Sequence, residues 1–100
     1  VLLCPPAASP AFPIDQAGER HQRSIEVNGK RVPVIDQMFW AGLASFYQLP
    51  ATVAPLGLSS TGLPFGVQVL GGLYDDRTTI AVAGLLEKSW RGFVAPPGWE

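Results

Sequence analysis

Proline divides this sequence into short segments. Because proline lacks a backbone amide hydrogen and its ring clashes inside a helix, a helix or a central strand stops where proline occurs. Every long apolar run is interrupted in this way, at Pro5, Pro6, Pro10, Pro13, Pro50, Pro55 and Pro64. No run reaches the roughly 18 to 20 apolar residues of a membrane-spanning helix, and we expect a soluble protein. The prolines and Gly18 within residues 5–20 predict an irregular connection there.

The composition is unusual for a free-standing domain. Apolar residues make up 47% of the 100 positions and charged residues only 15%, against a usual charged fraction of about 25%. This balance is typical of the interior of a larger protein. The net charge of -1 provides no basic surface to collect phosphates, so we expect no nucleic-acid partner and no membrane partner.

Cysteine and histidine are too few for a disulfide or a zinc centre. The only cysteine is Cys4 and the only histidine is His21. One cysteine cannot form an internal disulfide, which suits a reducing, cytoplasmic compartment. Together the two residues do not make a four-ligand zinc set, and we expect no metal and no cofactor.

The sequence opens with an apolar run over residues 1–4, which Pro5 and Pro6 stop. Such a run is typical of a central strand that is buried on both faces and has a neighbouring strand on each side. The first residue is Val1 rather than methionine. We therefore expect residues 1–100 to be a fragment of a larger domain, not an independent catalytic domain. Its apolar surface would contact the remainder of the parent protein or self-associate into an oligomer.

Residues 24–34 predict a β-hairpin. Asn28-Gly29 supplies the two positive-φ residues of a type I′ turn between β-rich arms. A two-residue loop then sets three cross-strand pairs, which are Val27 with Lys30, Glu26 with Arg31 and Ile25 with Val32.

Two helices and two more strands are predicted after the hairpin. Asp36 is expected to cap an apolar helix that ends at Leu49-Pro50. Strands follow over residues 51–58 and 65–70, on either side of a turn at 59–62. Asp75 or Asp76 starts the second helix. Its predicted apolar side consists of Ile80, Val82, Ala83, Leu86 and Trp90. These elements predict a buried α/β segment.

The residues alone show no catalytic constellation. Ser59-Ser60 resembles an exposed serine nucleophile, but no base accompanies it and the surrounding residues favour a turn. Cys4 is expected in the core and His21 in a solvated loop. Asp75-Asp76 is more typical of a helix start than of an acid/base pair.

Two segments carry a family resemblance. LPATVAPLG at 49–57 and GLPFGVQVLG at 62–71, followed by an acidic loop and an apolar helix, resemble the carboxyl-terminal region of the amidase signature family. The opening VLLCPP and the closing VAPPGW extend the resemblance to nearly the whole chain. In the second segment we expect Gly66 to admit another backbone or side chain at close range. The resemblance implies an α/β fold, the carboxyl-terminal part of a mixed β-sheet layered with helices.

The resemblance also implies an activity for the parent protein. Family members hydrolyse amide C–N bonds with a serine that is activated through a second, cis-linked serine and a lysine. Those groups belong to an upstream segment that nothing in these residues matches, so no catalytic residue is assigned and the isolated chain is expected to be inactive. The expected contribution of this segment is sheet strands and part of the substrate-pocket wall.

By the same resemblance, the first helix presents Ile35, Met38 and Gly42 to the acyl side of the pocket. Glutamine-using relatives carry an acidic residue at the position of Met38. The uncharged methionine favours an amidase with an apolar or broad amide substrate, because its flexible side chain and the neighbouring Phe39 and Trp40 suit irregular apolar groups. Core packing of this helix is the competing interpretation.

Two other functions stay open. One is a fragment of a glutamine amidotransferase A-type subunit, which requires a helix register shifted by two residues, with Asp36 in place of Met38. The other is a stand-alone binding or assembly module with the same fold, for which self-association would be the signature.

Overall fold

The computed structural model describes all residues, 1–100. Five strands and two α-helices follow in the order β1 (Leu2–Cys4), β2 (Ser24–Val27), β3 (Lys30–Pro33), α1 (Met38–Tyr47), β4 (Ala51–Leu58), β5 (Pro64–Leu70) and α2 (Asp76–Ser89). Short 3-10 helices cover Arg20–Gln22 and Val34–Gln37. One sheet has the order β1-β5-β4 and the other is the β2-β3 pair. This combination of sheets and helices confirms the α/β class. None of the helices has the length and apolar character that crossing a membrane requires.

The predicted hairpin is confirmed with its register. Strands β2 and β3 pair Val27 with Lys30, Glu26 with Arg31 and Ile25 with Val32. Asn28 and Gly29 have φ values of 52° and 75°, which a type I′ turn requires at both central positions. The two-residue loop alone therefore determines which side chains face each other.

The predicted central position of the opening strand concerns the parent protein, and within these residues the strand lies at a sheet edge. Strand β1 pairs only with β5 and forms an edge of the three-stranded sheet. Cys4 is buried, whereas Leu2 and Leu3 are each more than half exposed. The apolar run does form a strand, as predicted, but the chain supplies a neighbour on one side only.

Strands β4 and β5 form an antiparallel pair that approaches closely at Gly66. A Cβ atom at this position would lie 2.6 Å from the carbonyl oxygen of Ala54, so only glycine fits the observed backbone. The close approach predicted at Gly66 is confirmed. Beside it the register shifts between Pro55 and Gly57, which leaves Leu56 unpaired in a β-bulge.

Helix α1 starts later than predicted and without the predicted cap. Asp36 lies inside the preceding 3-10 helix, Gln37 occupies the N-cap position, and no side chain bonds to the first-turn amides. A 3-10 turn already satisfies part of the amides at a helix start, so no aspartate cap is needed. The end agrees with the sequence, because Gln48 adopts a left-handed φ of 55° just before Leu49 and Pro50.

Helix α2 begins at Asp76, with Asp75 at the N-cap position as expected. The predicted apolar side is partly wrong, because Ile80 and Trp90 are mostly exposed. The helix instead turns Thr79, Val82, Ala83 and Leu86 inward, which follows the i, i+3, i+4, i+7 spacing of one helix face. A buried threonine at the centre of this face explains the error, since a polar residue gives no apolar signal in the sequence.

The core of the chain is small. Only 9 of the 100 residues are buried. The radius of gyration is 15.3 Å, against about 13 Å for a compact domain of 100 residues. The chain therefore exposes apolar side chains that a self-contained domain of this length normally buries.

Candidate functional site

The structure contains a broad open concavity of about 1130 Å³. The proline-rich segment after β1 forms one rim and the turn of the β2-β3 hairpin contributes Val27 and Asn28. Trp40 enters from α1, and β4 and β5 provide a wall that includes Val53 and Phe65. Phe93 in the carboxyl-terminal tail completes the lining.

The lining is apolar and uncharged. No acidic or basic residue contacts the concavity, and its polar side chains are those of Ser9 and Asn28 together with the Cys4 thiol. Such a surface selects an occupant by shape and apolar contact rather than by charge. The concavity suits a hydrocarbon or aromatic group.

Gln37 ties the proline-rich rim to the rest of the protein. Its side-chain carbonyl accepts a hydrogen bond of 2.7 Å from the backbone amide of Ala8, and its amide nitrogen donates to the Ser9 hydroxyl at 2.9 Å. A segment without strand or helix pairing is fixed in this way beside the start of α1. The rim and the first helix therefore form one connected wall.

The three predicted wall residues lie outside this concavity. Ile35 and Met38 are 48% and 49% exposed, and a Cβ atom added at Gly42 would meet no atom within 4 Å. The Met38 sulfur accepts a contact of 3.7 Å from Arg20 Nη2. These residues form a separate, half-exposed surface at the amino-terminal side of α1.

The sequence pointed to Trp40 as a neighbour of Met38, but not to Phe65 or Phe93 as lining residues. Trp40 lies within the predicted helix but two positions from Met38, so it belongs to a different helix face. Phe65 and Phe93 are remote from it in sequence and reach the concavity only through the fold. Their apolar character was the only available signal, and apolar residues are too frequent here to be informative.

A buried amide connects α1 to the sheet below the concavity. Gln68 on β5 donates from Nε2 to the Trp40 carbonyl oxygen at 3.1 Å and to Cys4 Sγ at 3.4 Å. Cys4 is buried and packs with Ala44 and Leu70, which confirms its predicted place in the core. The thiol is therefore a structural partner of Gln68 rather than an exposed nucleophile.

The hydroxyl groups of the Ser59–Gly62 turn are occupied by the turn itself. Ser59 Oγ lies 2.9 Å from Thr61 Oγ1 and accepts from the Leu63 amide at 3.2 Å. These contacts are typical of a turn between strands, so the structural interpretation is confirmed. Likewise, His21 is exposed, and Asp75 Oδ1 accepts from the Thr78 hydroxyl at the start of α2.

Comparison with known proteins relates the chain to amide-processing enzymes. It is 47% identical over 57 residues to human fatty-acid amide hydrolase 2, which is 57% of this chain and 11% of that protein. It is 33% identical over 99 residues to the A subunit of glutamyl-tRNA(Gln) amidotransferase from Parvibaculum lavamentivorans, which is 99% of this chain and 18% of that protein. The corresponding Methylocella silvestris protein is 30% identical over 98 residues, 98% of this chain and 18% of that protein. No family model matches the chain.

The chain is an α/β segment, and the relatives that it resembles are much longer enzymes whose names describe action on amides. These similarities confirm the resemblance to the amidase signature family, of which both groups of relatives are members. It spans less than a fifth of the length of these relatives, between 11% and 18%.

Proposed function

We propose that this chain is the carboxyl-terminal segment of an amide hydrolase and provides sheet strands and part of the substrate-pocket wall. The observation that carries the proposal is the 47% identity over 57 residues to human fatty-acid amide hydrolase 2. The parent enzyme hydrolyses an amide C–N bond, and the groups that attack this bond belong to a part of the parent outside these residues. The reaction needs no cofactor, and we place it in the cytoplasm because the only cysteine is unpaired.

We propose apolar amides as the substrate class. Two observations support this assignment. The concavity is lined by apolar and aromatic side chains without a charge, and Met38 offers no carboxylate to hold an amino group. Ile35, Met38 and Gly42 would then contact the acyl side of the substrate once the rest of the parent covers this half-exposed surface.

The second candidate is a glutamine amidotransferase A-type subunit. The extent of similarity favours it, since the alignments with amidotransferase relatives cover 98% and 99% of the chain. It requires an acidic side chain where α1 begins, and Asp36 is the nearest. Asp36 lies in the 3-10 helix two residues before Met38, and positions two apart do not share a helix face. This geometry favours the amide hydrolase.

The deciding experiment is ammonia release by the full-length parent from three primary amides, a long-chain acyl amide, a short aliphatic amide and glutamine. The hydrolase is expected to show the highest kcat/KM on the long-chain amide. The 100-residue chain alone serves as the matched control and should release no ammonia. Glutamine as the preferred substrate would support the second candidate, and no release from any amide would contradict both. A stable oligomer of defined size formed by the isolated chain would instead support the stand-alone binding or assembly module.

A further inference from the structure

Gln68 is the most deeply buried polar side chain below the concavity. Its residue is 6% exposed, and it lies on β5, the central strand of the three-stranded sheet. Both contacts of its amide nitrogen leave the strand, one to the Trp40 carbonyl oxygen on α1 and the other to Cys4 Sγ on β1. One side chain thus connects three separate elements.

The remaining contacts between α1 and the sheet are apolar. Ala44 packs with Cys4 and Leu70, and Trp40 and Leu43 lie against this cluster. Apolar contacts of this kind do not depend strongly on direction, so they hold the helix near the sheet without setting its exact rotation or depth. The hydrogen bond from Gln68 is directional, because it needs the donor and the carbonyl oxygen in line.

We propose that Gln68 is a positioning residue. It fixes the position and rotation of α1 on the sheet and thereby the shape of the concavity that Trp40 lines. This inference rests on the proposed amide hydrolase function. Trp40 is the residue whose backbone accepts the hydrogen bond and whose side chain lines the concavity. Any change in the position of α1 on the sheet therefore moves a side chain that lines the concavity. It also moves Met38, which lies two residues earlier in the same helix.

The chain provides a matched comparison on the opposite face of the sheet. Thr79 on α2 is buried and meets Thr52 on β4, with 2.9 Å between the two hydroxyl oxygens. This contact also joins a helix to the sheet through polar groups, of which Thr79 is buried and Thr52 partly buried. Neither threonine lines the concavity, so a change there should alter stability without altering the wall.

The test compares Gln68→Met with Thr79→Val in the full-length parent. Methionine is similar in size and flexibility but donates no hydrogen bond. We expect Gln68→Met to raise KM for a long-chain acyl amide about fivefold, the effect of losing a hydrogen bond of about 1 kcal/mol, with kcat within twofold. Hydrogen exchange of α1 amides should accelerate while α2 is unchanged. Thr79→Val should leave KM unchanged and accelerate exchange in α2.

An unchanged KM in Gln68→Met, with faster exchange in α1, would reduce Gln68 to a structural role and overturn the proposal. Failure of the parent to hydrolyse any amide would contradict the proposed function instead, and in that case unchanged exchange in α1 would still overturn the positioning role. If Gln68→Met does not fold, Gln68→Glu replaces it. A buried glutamate donates only while protonated, so the ratio of its KM to that of the unaltered parent should rise with pH, and a pH-independent ratio would overturn the proposal.

Discussion

The hydroxyl oxygens of Thr52 on β4 and Thr79 on α2 lie 2.9 Å apart in the core. Thr79 Oγ1 also lies 2.8 Å from the Asp76 carbonyl oxygen, to which it donates its only hydroxyl hydrogen. Thr52 must therefore be the donor to Thr79. Two polar side chains satisfy each other in this way, and α2 is fixed to the sheet by a contact that depends on both.

We expect Thr79→Val to destabilise the protein by about 1 kcal/mol, because the partly buried Thr52 hydroxyl loses its acceptor. The double variant Thr52→Val with Thr79→Val removes both hydroxyls and should lose less stability than the sum of the two single changes. Chemical denaturation of the three variants measures the coupling. Additive losses would show that the two hydroxyl groups do not interact.

A second prediction concerns glycine on β5 and in α2. Gly66→Ala should destabilise the protein by about 1 to 3 kcal/mol, because its Cβ atom would lie 2.6 Å from a backbone oxygen that has no room to move. Gly84→Ala is the control, since Gly84 is inside α2 and a Cβ atom there meets nothing within 4 Å. That change should stabilise the helix by about 0.5 to 1 kcal/mol. Thermal unfolding of both variants shows whether each change lowers or raises stability. Equal shifts in unfolding temperature would contradict the steric argument.

The features that depend on neighbouring residues could be predicted from the sequence. The Asn28-Gly29 dipeptide determines its turn and the hairpin register without help from the rest of the chain. The need for glycine at position 66 was also recognisable, although the atom that a Cβ there would meet belongs to Ala54 on another strand. The conformation of a turn and the need for glycine depend on residues that are close, or fairly close, in the sequence. Such features can therefore be predicted from the sequence.

Features set by distant parts of the chain were less predictable. The buried face of α2 is centred on Thr79, whose burial depends on Thr52 across the sheet. Likewise, the concavity brings Trp40 together with Phe65 and Phe93, and no spacing in the sequence relates them. Strand β1 has the pattern of a central strand, yet within these residues it lies at the edge of the sheet.

A third prediction concerns the predicted wall at Met38. In the full-length parent, Met38→Asp should lower kcat/KM for apolar amides about tenfold, because a charged carboxylate in the wall must be desolvated by an apolar substrate. The fold should tolerate the change, since Met38 is half exposed and Arg20 lies beside it. Met38→Leu is the control and should retain nearly full activity. Steady-state kinetics on the three proteins decides the matter, and unchanged kcat/KM in Met38→Asp would remove Met38 from the substrate wall.

The final prediction concerns the free edge of β1. Leu2 and Leu3 point to opposite faces of the sheet, and both are more than half exposed. An edge strand that is apolar on both faces and carries no charge is a template for pairing with another strand. We therefore expect the isolated 100-residue chain to self-associate at micromolar concentration. Leu3→Lys should shift it toward monomer, because a charge on an edge strand opposes further pairing.

Sedimentation velocity across a concentration series measures this association. Ile14→Lys is the matched control, because Ile14 is 88% exposed but lies in the irregular segment outside the strand. If both lysine variants dissociate the chain equally, general apolar contact rather than the β1 edge drives association. A cooperative, stable monomer of the unaltered chain at high concentration would contradict the prediction altogether. It would also mean that the apolar edge needs no partner, which would weaken the case that β1 pairs with a further strand in the parent.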